Sequence, residues 1–124
     1  MNVSLYVAAF LIAGVSLAHS YLGERYILIR LFRRNDLPKL FGSSEFTVRT
    51  LRFAWHITSI AWLGLAAILL LLAHPPTSPQ AIGIAVGVTF LAHSAIAFGG
   101  SRGKHYSWIV FLAIGALTIY ASRT

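Results

Sequence analysis

Apolar residues in this chain fall into four long runs, at roughly 3–22, 53–73, 81–98 and 106–121, and three polar links separate them. Within each run the apolar character is continuous rather than alternating, which predicts helix and not strand. Each run approaches the ~20 residues that cross about 30 Å of hydrocarbon at about 1.5 Å per residue. Lipid admits only helices and closed barrels, because unpaired backbone groups find no water there. The pattern therefore predicts an all-α integral membrane protein, a single domain over 1–124 built as an up-down bundle of four transmembrane helices. The expected helices span about 3–34, 45–73, 81–98 and 105–122, since polar flanks extend the first two past their apolar runs.

The breaks have local causes. Asn35-Asp36-Leu37-Pro38 ends the first helix, since proline disfavours a helical residue before it. Ser43 or Ser44 can cap the second helix, with Glu45 in its positive first turn. Pro75-Pro76 stops that helix, and Gly99-Gly100-Ser101-Arg102-Gly103 turns the second hairpin.

Composition narrows the class. The chain is 57% hydrophobic and only 10% charged over 124 residues, too apolar for a soluble domain of this size. Its net charge of +7 is unevenly spread. Arg25, Arg30, Arg33, Arg34, Lys39, Arg49 and Arg52 lie in or beside link one, Arg102 and Lys104 in link three, and link two carries no Lys or Arg. The positive-inside bias then makes links one and three cytoplasmic and places both termini outside, with Arg123 alone against it. A bacterial inner (plasma) membrane is the expected location. The basic residues act as a topology signal and can hold anionic lipids at link one, and no nucleic-acid partner is expected. There is no cysteine, hence no disulfide, thiolate ligand or iron–sulfur site. The first run lacks a basic leading region and is long, so it reads as a retained helix rather than a signal peptide.

One tetrapeptide occurs twice. Leu17-Ala18-His19-Ser20 ends run one and Leu91-Ala92-His93-Ser94 lies near the end of run three. Each is followed by a link and then a histidine opening the next run, His56 and His105. The two hairpins read as duplicated copies, related by an axis along the membrane normal. His19 lies six residues before Arg25, His56 four after Arg52 and His93 nine before Arg102, so all three sit one to two turns inside the same boundary. His105, beside Lys104, is shallower, and His74 belongs to the opposite face.

Faces point the same way. Ala9, Ala13, Ser16, Ser20 and Gly23 form a small-residue stripe with His19 on its edge. Arg52, His56, Ser59, Leu63 and Ala66 share a face of helix two, and Val86, Thr89, His93, Ala97 and Gly100 one of helix three. Small and polar stripes mark helix–helix interfaces in membranes, where ionisable residues belong. Converging imidazoles without cysteine suit a transition metal (Fe, Zn or Cu), with His19, His56 and His93 as ligands and His105 as a further cofactor-binding residue. Haem b is the competing cofactor, with Gly14, Gly64, Gly87 and Gly115 making room for a porphyrin. Glu24 lies about 140° around a straight helix from His19, so it is expected to pair with Arg25, another basic residue or an imidazole instead.

The sequence thus suggests a metal or haem centre for electron transfer or oxidoreduction. Two alternatives compete with it. One is a non-catalytic accessory or assembly subunit of a larger membrane complex. The other is a quinone- or lipid-binding protein that uses the same histidines as proton donors. No catalytic residues are identifiable, and whether the protein is an enzyme stays open.

Overall fold

The computed structural model describes residues 1–124 and is helical throughout, without a strand. Helix α1 spans Val3–Leu31, α2 Glu45–Leu72, α3 Pro79–Ser101 and α4 Ser107–Arg123. Three of these, α1 to α3, are long and apolar enough to cross a membrane. The fourth has 17 residues and is shorter than the others, because Tyr106 and the turn before it stay outside the helix.

The ends follow from local chemistry. The Asn2 side chain accepts from the Leu5 N–H at 3.4 Å, and Ser78 Oγ accepts from the Ala81 N–H at 3.2 Å with Pro79 in the first turn. At α2 it is Ser43 Oγ that accepts from Glu45 N–H, at 3.3 Å, while Ser44 holds the cap position without a side-chain bond. Helix α1 stops at Leu31 rather than Arg34. The Arg33 and Arg34 amides bond three residues back, tightening the last turn. Arg34 then forks onto Asp36 at 2.8 and 2.6 Å, fixing the start of the link and holding the Asp36 carboxyl down at about 2.

The helices stand in a row. α1 packs on α2, α2 on α3 and α3 on α4, and α1 reaches neither α3 nor α4. The Asn2 N–H meets the Ala73 carbonyl at 3.1 Å and Tyr6 OH bonds the His74 ring, so α1 starts where α2 ends. The expected four helices are present, and they pack as a row of neighbours. Lipid tails are as apolar as leucine, so nothing drives α1 and α4 to meet across a core.

Close approach, not bulk, makes the seams. Just 14 of 124 residues are buried, and all but Leu28, Phe53 and His93 are Gly, Ala or Ser. Along α3–α4 a Cβ on Gly115 would lie 2.9 Å from the Gly87 carbonyl oxygen and 2.7 Å from Leu91 Cδ2, so the two backbones touch. Along α2–α3, Thr89 fills the space over Gly64 and Phe53 that over Gly100. Of the glycines considered as porphyrin clearance, only Gly14 faces open space.

These seams give a paired test. Gly115→Val should destabilise the detergent-solubilised protein by about 1–3 kcal/mol through overpacking, whereas Gly14→Ala should be neutral or stabilise by up to about 1 kcal/mol. Thermal unfolding followed by circular dichroism reads both. Equal melting temperatures in the two variants would show that α3 and α4 do not pack backbone to backbone.

Candidate functional site

The α1–α2 seam is built around one aromatic residue. Trp55 Nε1 donates to the His19 carbonyl at 2.9 Å, and His19 Nε2 lies 3.2 Å from the Trp55 carbonyl oxygen. The two rings stack in parallel with centroids 4.5 Å apart, and Trp62 closes on the imidazole at 5.0 Å. Gly23 permits this clasp, because any Cβ there would run into the Trp55 indole. The indole also claims the carbonyl that the Gly23 N–H uses within α1. The carbonyl accepts from both donors, and the helix widens directly after it. Gly23–Leu28 is π-helical, with the Ile29 N–H bonded to the Glu24 carbonyl five residues back. Such π turns concentrate at functional sites. A single-helix period gives no sign of this turn, because the indole that packs at its start lies on another helix.

Glu24 lies in the π turn. Of its expected partners, Arg25 sits over the Tyr26 ring instead, 5.7 Å from the centroid, while another basic residue and an imidazole meet the carboxylate. Arg52 Nη2 lies 2.9 Å from Glu24 Oε1 and Arg52 Nε 3.3 Å from Oε2, while His56 Nε2 lies 3.1 Å from Oε2. The Arg52 guanidinium also sits over the Phe32 ring, 4.9 Å from its centroid. On the other side of the imidazole, His56 Nδ1 lies 2.9 Å from Ser20 Oγ, which lies 2.6 Å from Ser59 Oγ. Ser59–Ser20–His56–Glu24–Arg52 is therefore one unbroken chain of hydrogen bonds joining α1 to α2.

The chain accommodates two protonation states of His56. In the neutral ring, Nε2–H donates to Glu24 and Nδ1 accepts from the Ser20 hydroxyl, which accepts from Ser59. In the imidazolium, Nδ1–H donates to Ser20 Oγ and the Ser20 hydroxyl turns to Ser59. Two hydroxyl rotations suffice, and no bond within the chain is lost. His56 and Arg52 also line a cleft of about 450 Å³ between α2 and α3, whose walls include Arg49, Phe53, Ile96 and Gly99.

The other histidines stand apart. His93 is buried in α3, its Nδ1 is 2.7 Å from the Thr89 carbonyl oxygen, and its ring meets Phe90 and Phe111 at 5.1 and 5.4 Å. His105 bonds Ser107 Oγ at 2.8 Å and lies between Phe46 and Phe53. His19 faces a groove of about 390 Å³ with Tyr26, Trp55 and Trp62, along the α1–α2 seam. No three His, Asp or Glu side chains gather closely enough to share an ion. A metal or haem shared by His19, His56 and His93 would have to join an imidazole on α1 to one on α3, which also lines a pocket against α2, with α2 standing between His19 and α3.

Contacts of the repeated tetrapeptide match between hairpins. His19 meets Trp62 as His93 meets Phe111, and Ser20 bonds across to Ser59 as Ser94 bonds the Trp108 carbonyl, at 2.7 Å. The carboxylate does not match. Phe98, four residues after Ser94 as Glu24 is after Ser20, packs on Trp108 with centroids 5.0 Å apart.

Gly23→Ala should displace the Trp55 indole and return α1 to regular helical pitch. The expected result is a shift in tryptophan emission and a loss of about 1–3 kcal/mol in stability. Unchanged emission in that variant would mean that Trp55 does not lie over Gly23.

Compared with protein-family models, with curated proteins and with solved structures, the chain finds no match.

Proposed function

We propose that this is a small integral membrane protein that binds an amphiphile of the quinone or lipid class beside His56 and exchanges a proton with it. The observation that carries this reading is the hydrogen-bonded chain from Ser59 to Arg52, which can hold His56 neutral or charged without losing a bond. An ionisable pair within a membrane helix is costly and marks a functional site by default. The cleft between α2 and α3 supplies access; both ring nitrogens of His56 are engaged, so His56 passes a proton to or from a ligand oxygen by exchanging its Ser20 or Glu24 contact for that oxygen, with Arg52 as the compensating cation.

Topology belongs to the same reading. All four helices cross an inner membrane, both termini lie outside, and links one and three, with the relay close to them, lie on the cytoplasmic side. A second reading, an accessory subunit of a larger complex, is favoured by one feature: α1 has α2 as its single partner and carries Phe10 and Leu11 about 70% exposed, 72% and 69%.

Decyl-ubiquinone titrated into the detergent-purified protein should quench tryptophan emission saturably. His56→Ala should weaken that binding about tenfold and remove its pH dependence, whereas His74→Ala, at the other end of α1 and α2, should leave it intact. Linear, non-saturating quenching that is identical in all three proteins would sink the relay reading. Topology is checked separately with single cysteines at Ser43 and Ser78 and an impermeant thiol reagent on intact cells. Modification at Ser78 alone is expected, and modification at Ser43 alone would invert the assignment.

A further inference from the structure

Two residues other than glycine take left-handed backbone angles, Phe41 at φ 57° and Arg102 at φ 53°, and each precedes a glycine at positive φ, Gly42 and Gly103. Such angles strain a residue with a Cβ, and a bulky aromatic there is an outlier. One lies in the link between α1 and α2, the other at the end of α3, yet both line one cavity of about 350 Å³. Strained residues persist where surrounding structure or function demands them. At both positions glycine would relax the backbone, and the chain instead carries a cation and an aromatic ring.

The lining explains what those side chains supply. Arg49, Arg102 and Lys104 contribute three positive charges against the single carboxylate of Glu45. Glu45 is engaged by Arg49 at 2.9 Å and reaches Arg102 at 4.0 Å, while Lys104 has no ion-pair partner. The rim is apolar and open to the surroundings: Phe41 is 89% and Tyr106 75% exposed. A net positive cavity with an aromatic lip at the end of membrane-length helices fits an anion that carries an apolar tail. A free anion would have no use for the lip. We infer that this cavity is a binding site for the phosphate of an anionic phospholipid, with Arg102 and Lys104 as its cations and Phe41 and Tyr106 lying along the acyl-chain side. This inference does not rest on the His56 relay, and its assay reads a different ligand.

The test is native mass spectrometry of the full-length protein released from detergent after incubation with dioleoyl phosphatidylglycerol or dioleoyl phosphatidylcholine at equal concentration. Wild type should retain the anionic lipid preferentially. Arg102→Gly should retain it about fivefold less, with a melting temperature equal to or above wild type because the strained angle suits glycine. That combination, lower binding with undiminished stability, is not produced by a merely structural arginine. If Arg102→Gly melts lower, Lys104→Gln decides, since Lys104 is unpaired: it should also lose about fivefold. Equal retention of both lipids by wild type, or wild-type retention by Lys104→Gln, overturns the site. Displacement of phosphatidylglycerol by millimolar inorganic phosphate, with phosphate binding that depends on Arg102 but not on Phe41, overturns the lipid as the source of the anion.

Discussion

The Trp55 indole over Gly23 is the contact on which the charged part of this molecule depends. The indole shares the His19 carbonyl with the Gly23 N–H where the helix leaves its small-residue stripe. The wider turn that follows, Gly23–Leu28, carries Glu24, the residue that meets Arg52 and His56. Absence of a single Cβ at Gly23 thus permits the aromatic clasp, the π turn and the partnering of a membrane carboxylate, in that order.

The two hairpins act as internal controls for one another. Both place a histidine of the repeated tetrapeptide against an aromatic ring, and both send the following serine across to the neighbouring helix. Contacts found in both hairpins are accounted for by packing, which small polar residues supply between membrane helices at about 0.6 kcal/mol per hydrogen bond. Only the first hairpin adds a carboxylate, a guanidinium and an imidazole joined to it. In the second, Phe98 takes the corresponding place and packs on Trp108 without any charge. A helix pair of this kind therefore holds together without ions, and packing alone gives no reason for Glu24.

Much of this was legible in the sequence, for identifiable reasons. Apolar runs of membrane length give the helices, because backbone satisfaction in lipid leaves few alternatives. Proline at 38 and at 75–76 marks links, and small polar positions such as Ser16, Ser59 and Ala97 do fall in seams. Glu24 was assigned to Arg25, another basic residue or an imidazole; Arg25 is not its partner, and Arg52 and His56 are. The order of the helices was not legible. In water, an apolar stripe marks the side facing the core, but in lipid both sides are apolar, so sequence did not show that His19 and His93 lie in different seams. Nor was the π turn legible, because the indole that packs at its start, Trp55, is more than thirty residues away.

The cost of the charges decides how the relay is to be understood. An isolated carboxylate or imidazolium inside a membrane boundary is expensive, and burying an ion pair seldom gains more than its desolvation costs. Glu24, Arg52 and His56 lower that cost without removing it. Their side chains remain 32%, 42% and 24% exposed, and two of them line a cleft that opens between α2 and α3. A purely structural network gains by being sealed, since water and lipid headgroups compete with its hydrogen bonds. This one stays open to the cleft between α2 and α3, and its imidazole sits between a carboxylate and a rotatable hydroxyl. Both features raise the cost of the network as a support, and they are what supports the proposal of proton exchange.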